Sequence, residues 1–255
     1  MSGSDSLLWW PVSVLLLSLR VTPVFVFAPP FTLTQIPKPA LALIGLGFAA
    51  TLAAAHPDAP PLDVGRGALF AAALSELILG TLPVLTLNLL FGALYWIGRS
   101  IDIQAGFGLA LLIDPTTRSQ TPLIGTLFAY LAGFVFFSEG GHLDLLRYFS
   151  ASLDLVPIGT GALPLPSIDL IARYAGSQFA TAVGVGGGAV LALFVADLGV
   201  ATLSRTVPQL NALLLGVQVK TLIMFVVLAA LLGTAQALMF RMIAANFSTL
   251  ARLTS

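Results

Sequence analysis

The chain has 255 residues, of which 58% are hydrophobic and only 9% are charged, and its formal net charge at pH 7 is zero. Soluble domains carry about 25% charged residues, so this composition excludes a soluble protein and predicts an integral membrane protein. The zero net charge and the lack of a basic run argue against a nucleic-acid partner. The absence of cysteine excludes disulfides, thiolate catalysis and zinc–thiolate sites.

The first half of the sequence contains four apolar stretches that are candidates for membrane-spanning helices. They cover residues 7–28, 40–55, 68–97 and 122–138. Proline-rich connectors separate the first three, because proline cannot continue a helix interior and its clusters are typical of loops. The pattern therefore predicts apolar helices joined by short links.

The stretch 99–122, between the third and fourth of these helices, is too irregular to span a membrane. Its apolar run, residues 105–113, would measure only about 13 Å as a helix at ~1.5 Å per residue, against a hydrocarbon core of roughly 30 Å. Two glycines weaken a helix there by roughly 1 kcal/mol each, and Asp114-Pro115 ends it. Polar residues flank the run on both sides: Arg99, Asp102, Gln104 and Arg118.

The position of this stretch between membrane-type helices allows two interpretations. Irregular backbone at membrane depth is tolerated where it is buried in protein or lines a water-filled cavity, which predicts a re-entrant or pore-facing loop and a candidate gate. The alternative is an interfacial linker with an apolar face. The candidate gate residues are Gly106, Phe107, Gly108, Leu109, Leu111, Leu112, Ile113, Asp114 and Pro115.

The second half of the sequence predicts a helix break, an amphipathic helix and a long helical hairpin. Residues 139–142 break the fourth span, and residues 143–155 interleave apolar and charged residues at helical spacing. Two long apolar stretches follow, 168–203 and 210–245. The turn between them contains Arg205, Pro208 and Gln209. The whole chain is therefore predicted to be one all-α membrane domain with about six long apolar helical stretches, a re-entrant plug-like loop and a C-terminal helical hairpin.

Four ionisable residues lie inside these apolar stretches: Arg20, Glu76, Asp197 and Lys220. A charge at the bilayer centre costs ~2.5–3.5 kcal/mol on insertion scales, so such residues face a bundle interior or a pore and find partners. A buried charge network with structural pairing is the favoured interpretation, and a proton relay is the alternative. Because Asp197 and Lys220 are almost equally far from the hairpin turn, we expect them to lie level and to pair.

Two further motifs have a functional and a structural interpretation. The run Gly184-Val-Gly-Gly-Gly188-Ala matches the loose dinucleotide fingerprint, but that motif needs a βαβ unit. Here Gly184 and Gly188 are predicted to let another helix approach closely, so no cofactor is expected. His142 lies near Glu139 and Asp144, yet metal sites gather three or four ligands, so no metal is expected either. No arrangement typical of an active site is present, so we do not expect an enzyme.

Several of these segments together carry a family resemblance. They are Arg-Val-Thr-Pro at 20–23, Glu-Leu-Ile-Leu-Gly at 76–80, Gln-Ala-Gly at 104–106, Ile-Asp-Pro at 113–115, Gly-Gly-His at 140–142 and Arg-Thr-Val-Pro-Gln-Leu-Asn at 205–211. In this order and spacing they resemble FliR, the family of flagellar type III export-gate proteins, whose relative in virulence secretion systems is SctT. The resemblance covers nearly the full length.

The resemblance implies an organisation and a set of partners. The chain is similar to a fusion of a FliP-like front part, 1–166, with its plug loop at 99–122, and a FliQ-like hairpin, 167–255. Family members join FliP- and FliQ-like subunits in a helical assembly, with an FlhB-like protein around its entrance. That assembly encloses the channel for unfolded flagellar substrates. Residues 106–115 correspond to the plug.

The resemblance also implies a location, the bacterial inner membrane at the flagellar basal body, in contact with membrane lipid. Members of the family stand largely above the bilayer plane. Two alternatives to a flagellar gate subunit remain from the sequence. One is an SctT-type component of a virulence system, and the other is a secondary transporter or proton-conducting subunit that uses the four intramembrane charges.

Overall fold

The structure, a computed structural model, describes residues 3–56, 66–107, 121–160, 167–206 and 212–254. Within these residues the chain forms eight helices and no strand. They are α1 (Gly3–Phe27), α2 (Pro29–Thr32), α3 (Lys38–Ala55), α4 (Arg66–Ala105), α5 (Leu123–Ser138), α6 (Gly141–Leu155), α7 (Ile168–Thr206) and α8 (Ala212–Thr254). Five are long and apolar enough to cross a membrane, or six if the bent pair α5 and α6 is one span. The predicted all-α membrane fold is confirmed.

The chain divides into two compact units. Unit 1 comprises Met1–Leu89, Phe136–Ala175 and Ile243–Ser255, and unit 2 comprises Leu90–Val135 and Gly176–Met242. The front part and the C-terminal hairpin predicted from the resemblance each contribute residues to both units. The predicted division at residue 166 stays a prediction that rests on the resemblance.

The core of unit 1 begins where α1 packs against α3. Small residues on α3 allow the close approach: a Cβ on Gly45 would lie 2.7 Å from Thr22 Oγ1, and Ala49 and Ala53 are buried one and two turns later. Larger apolar side chains from α1, α6 and the following turn complete this cluster. They are Val14, Leu16, Leu17, Leu153 and Ile158.

Two predicted helix boundaries at the gate stretch and the C-terminus are wrong. Helix α4 does not end at residue 97 but continues to Ala105, so the first part of the predicted plug loop 99–122 is helical. The helix continues because the polar residues Asp102 and Gln104, which make this part look like a loop, have hydrogen-bond partners in the folded protein. It ends at Ala105, before Gly106, whose φ of 89° is a conformation that favours glycine. Helix α8 likewise extends beyond residue 245 to Thr254.

The predicted break at residues 139–142 is confirmed. Helix α5 ends at Ser138, and α6 begins at Gly141 at an angle of 65° to it. Gly140 takes the positive φ of 76° that the corner requires, and a Cβ on Gly141 would lie 2.6 Å from the ring of Phe136. Two adjacent glycines are therefore needed here for different reasons, one for backbone conformation and one for packing.

Candidate functional site

The most enclosed ion pair in the described chain joins α1 and α4 in unit 1. Arg20 Nε donates to Glu76 Oε2 at 2.5 Å, and Nη2 donates to Oε1 at 3.0 Å. Both side chains are 1% exposed. A bidentate Arg–carboxylate pair is the strongest form of charge-assisted hydrogen bonding, and in this apolar setting each charge depends on the other.

The remaining donors of Arg20 bind the C-terminal end of α6. Nη1 donates to the carbonyl and hydroxyl oxygens of Ser152 at 3.1 and 3.2 Å, and Nη2 donates to the Val156 carbonyl at 3.0 Å. Glu76 Oε1 accepts a further bond from the Gly159 amide at 3.2 Å. All five guanidinium N–H groups therefore have acceptors, and the ion pair joins α1 and α4 to the end of α6 and the turn after it.

Close helix contact accompanies the pair. A Cβ on Gly80 would lie 2.5 Å from the Arg20 carbonyl oxygen and 2.6 Å from that of Leu19. Gly80 lies one helical turn after Glu76, so both face α1. The segment 76–80, which the resemblance uses as a motif, thus combines a charge partner with the small residue that lets α1 reach it.

The second pair of predicted charges lies in unit 2, at the C-terminal hairpin. Lys220 Nζ on α8 contacts Asp197 Oδ1 on α7, with side-chain exposures of 17% and 37%. Gln104 Nε2, near the end of α4, donates to the other oxygen, Asp197 Oδ2, at 2.7 Å. The four charges predicted as one network are therefore found as two pairs in different units, and the pair in unit 2 has an amide as its third member.

The start of α5 is held by Asp102 of α4. Its carboxylate accepts the Ile124 amide at 3.0 and 3.1 Å and the Gly125 amide at 3.3 Å. These are among the first N–H groups of α5, which lack partners within the helix, and a carboxylate there also meets the positive end of the helix dipole. A Cβ on Gly98 would lie 2.4 Å from Gly125 Cα, so α4 and α5 cross in direct backbone contact.

Most of the predicted gate residues lie outside the described residues. Gly106 and Phe107 are described, directly after α4, and both are half-buried. The structure does not describe Gly108, Leu109, Leu111, Leu112, Ile113, Asp114 and Pro115. At the predicted hairpin turn, Arg205 lies in the last turn of α7, whereas Pro208 and Gln209 are also outside the described residues.

The glycines of α7 differ in their packing. Gly184 and Gly188, the predicted helix-packing residues, are exposed, and a Cβ on Gly188 would meet no described residue within 4 Å. Their role toward another subunit stays a prediction. Within the chain the tight position is Gly186, where a Cβ would lie 2.7 Å from Ile97. Sequence reasoning missed Gly186 because four of the five residues 184–188 are glycine and the buried face depends on helix rotation.

Sequence reasoning also missed the partners that complete both sites. The partners at the Arg20 site bind mainly through backbone groups, which every residue type has, so the sequence does not mark them. They are Ser152, Val156 and Gly159. Asp102 and Gln104 stand out in the sequence as polar residues beside an apolar run, but no pattern predicts their partners on α5 and α7. The signal for them was available, since polar side chains on a continued helix need partners at membrane depth.

No group of three or more His, Cys, Asp or Glu side chains suited to a metal is found among the described residues. The ring of His142 lies against the ring of Phe137, with centroids 5.7 Å apart. The carboxylates at both sites accept hydrogen bonds from fixed donors of the protein. What this arrangement does physically is to hold helices in register.

Comparison with known proteins identifies the family. The family model for bacterial export proteins, family 1, matches residues 12–245. Flagellar biosynthetic protein FliR of Bacillus subtilis is 30% identical over 220 residues, which cover 84% of this chain and 83% of that protein. FliR of Escherichia coli is 25% identical over 229 residues, covering 89% and 84%.

A relative from another system matches a shorter part. The Yop proteins translocation protein T of Yersinia pestis is 29% identical over 166 residues, which cover 64% of each chain. The match to the family model takes in Arg20 and Glu76 as well as most of both helices of the C-terminal hairpin. The chain belongs to family 1 of the bacterial export proteins, the family of FliR and its type III secretion relatives.

Proposed function

We propose that this protein is a FliR-type subunit of the flagellar type III export gate, in the bacterial inner membrane at the flagellar basal body. Its role there is to help enclose and seal the channel through which unfolded flagellar substrates pass, without chemistry of its own. The observation that carries the proposal is the nearly full-length match to FliR proteins. The two sites described above support it, because they are built to hold helices in place.

The outer faces of the hairpin support a role as a subunit of a larger assembly. Only 28% and 22% of the residues in the apolar spans of α7 and α8 are buried, against 56% in α4. Large apolar side chains are exposed along them, including Phe194, Val195, Leu222 and Phe225. We propose FliP-, FliQ- and FlhB-like proteins as the partners, and membrane lipid where these do not reach.

The seal is proposed to lie in the segment that follows α4. A channel wide enough for an unfolded chain would leak ions when idle, and an apolar constriction closes a pore by excluding water. Residues 106–113 contain two glycines and five large apolar side chains, and Asp114-Pro115 follows them. The carboxylate of Asp102 supports this assignment, because it fixes the helix α5 that follows the segment to the helix α4 that precedes it.

Deletion of residues 106–113 tests the proposal. In cells that lack their own copy and express the partner subunits, we expect the deletion variant to co-purify with the partners at the parental level. The membrane conductance of these cells should rise and their growth should become salt-sensitive. Replacement of Phe107, Leu109, Leu111, Leu112 and Ile113 by serine should have the same effect.

The matched control replaces exposed apolar residues of α5, Leu123, Leu127 and Phe134, by serine, and should leave conductance unchanged. A deletion variant that assembles and stays as tight as the parent would show that the seal comes from elsewhere in the assembly.

The two alternatives are tested by other observations. A virulence-type system is suggested by the Yersinia relative, but that match covers 64% of the chain and the FliR matches cover 84% and 89%. Rescue of motility in a strain without FliR is expected, and rescue of virulence secretion alone would favour the SctT-type role. A proton-conducting subunit would lose activity in Glu76→Gln without loss of assembly, whereas we expect the assembly itself to suffer.

A further inference from the structure

The Gln104–Asp197 contact has the features of a releasable latch. We infer that Gln104, in the last turn of α4, holds that turn against the hairpin α7–α8 through Asp197 while the gate is closed, and releases it when substrate passes. This inference rests on the proposed function. All of the residues that carry it lie in unit 2.

The contact costs little to open. Gln104 is neutral and half-buried, so its amide can exchange Asp197 for water without leaving an unpaired charge. Asp197 keeps Lys220 on its other oxygen when Gln104 leaves. Neither condition holds at Arg20, where one cation binds four acceptor groups and is 1% exposed.

The neighbouring contacts define what stays in place. Asp102 lies two residues before Gln104 on α4. It is 5% exposed and accepts hydrogen bonds from two backbone amides of α5. Farther back on α4, Trp96 packs edge-on against Phe179 of α7, with ring centroids 5.8 Å apart. Directly after the last turn, Gly106 has a positive φ of 89°. The last turn of α4 is therefore held on one side by a firm contact, on the other by a weak one, and is followed by a glycine that tolerates a change of direction.

Gln104→Glu opens the latch with a change of nearly the same size. The substitution places a second carboxylate against Asp197, so that repulsion replaces a hydrogen bond. We expect the population with the latch released to rise at least about tenfold, which corresponds to about 1.4 kcal/mol. Membrane conductance should rise with it, while co-purification with the partner subunits stays at the parental level.

A swapped pair separates latching from mere structural damage. Gln104→Glu combined with Asp197→Asn restores one amide and one carboxylate at the contact with the hydrogen bond reversed, and the new amide oxygen can still accept from Lys220. This double variant should return conductance to the parental level. Ser100→Glu, one turn earlier on α4 and bonded only within its own helix, is the charge control and should stay tight.

Distance measurement reports the release directly. The chain has no cysteine, so spin labels go only where cysteines are introduced. Labels at the exposed positions Ile103 and Leu198 should shift to longer distances in Gln104→Glu and return in the swapped pair. Labels at Leu198 and Leu222 of the hairpin should not shift.

The outcomes distinguish this inference from the proposed function. If the deletion of residues 106–113 leaks but Gln104→Glu stays tight with an unchanged Ile103–Leu198 distance, the latch is wrong and the gate stands. If the swapped pair assembles but does not restore tightness, the latch is also wrong. If the deletion variant is itself tight, the proposed gate is wrong and the latch falls with it. Should Gln104→Glu fail to assemble, Gln104→Met removes the bond without a charge and is judged by the same distance.

Discussion

Two ion pairs that join long apolar helices, Arg20–Glu76 in unit 1 and Lys220–Asp197 in unit 2, differ in how far the protein encloses them. The first is 1% exposed on both sides, and the second is 17% and 37% exposed. The first is bidentate and carries three further hydrogen bonds from the guanidinium to α6 and the turn after it. The second consists of one charged contact and one amide.

This difference indicates what each site is for. A buried charge that loses its partner has no water to replace it, so a site like Arg20–Glu76 fixes a permanent arrangement of helices. A partly exposed pair can exchange partners at low cost. We therefore expect the Arg20–Glu76 pair to be part of a static scaffold and any rearrangement to occur at the Lys220–Asp197 pair.

Glu76→Ala should have the largest effect. It leaves the Arg20 guanidinium buried without a counter-charge, which costs ~3–5 kcal/mol, so we expect little folded protein in the membrane and a strongly lowered unfolding temperature in detergent. Arg20→Met combined with Glu76→Leu should recover part of the loss, because it removes both charges. Asp169→Ala, which breaks the exposed Asp169–Arg173 pair, is the control and should cost at most about 1 kcal/mol. Equal losses for Glu76→Ala and Asp169→Ala would contradict the scaffold role.

Gly80→Ala should follow. The added methyl would lie 2.5 Å from the Arg20 carbonyl oxygen, and overpacking of this kind costs ~1–3 kcal/mol. The methyl group of Gly92→Ala on the same helix meets no described residue within 4 Å. This variant should instead stabilise α4 by up to ~1 kcal/mol, the difference in helix propensity. Thermal unfolding of the two variants should show a lower unfolding temperature for Gly80→Ala and a higher one for Gly92→Ala. A stable Gly80→Ala protein would mean that α1 and α4 are loosely packed at the Arg20 site.

Asp197→Ala should have a smaller effect on the folded chain than Glu76→Ala, because Lys220 is partly exposed and can reach water. Loss of a hydrogen-bonded partner at such a site costs ~1–3 kcal/mol. Adding Lys220→Ala should recover part of this cost, measured as yield of the assembled complex. A double variant no better than the worse single variant would show that the two residues do not act as a pair.

Gly188→Leu should leave the stability of the chain itself within about 0.5 kcal/mol, as expected for an exposed substitution. Because no described residue lies within 4 Å of a Cβ at this position, we expect any large effect to come from a partner subunit. We expect the variant to fold but to be lost from the co-purified complex, through overpacking of a tight contact between subunits. Gly186→Leu, which would clash inside the chain, is the contrasting variant and should reduce folding itself. Normal co-purification of Gly188→Leu would mean that this face meets lipid.

Much of the fold could be predicted from sequence because hydropathy and helix breakers act locally. The composition alone indicates a membrane protein, the apolar runs locate the long helices, and the glycine pair at residues 140–141 marks the corner between α5 and α6. The low tolerance of the bilayer for charge also marks Arg20, Glu76, Asp197 and Lys220 as residues that need partners. These inferences need no knowledge of which helices are neighbours.

The tertiary structure decided which partners these residues have. Arg20 binds the carbonyl groups of Ser152 and Val156, which lie 132 and 136 positions away in the sequence. Every residue has a backbone carbonyl, so the residue type does not predict which one accepts. Asp102 and Gln104 look like the polar edge of a loop in sequence, yet they extend α4 because α5 and Asp197 satisfy them. Gly186 rather than Gly188 is tightly packed because helix rotation selects one glycine of the run. The sequence by itself determined which groups cannot remain unsatisfied in an apolar environment, and only the packing of distant segments decided what satisfies each of them.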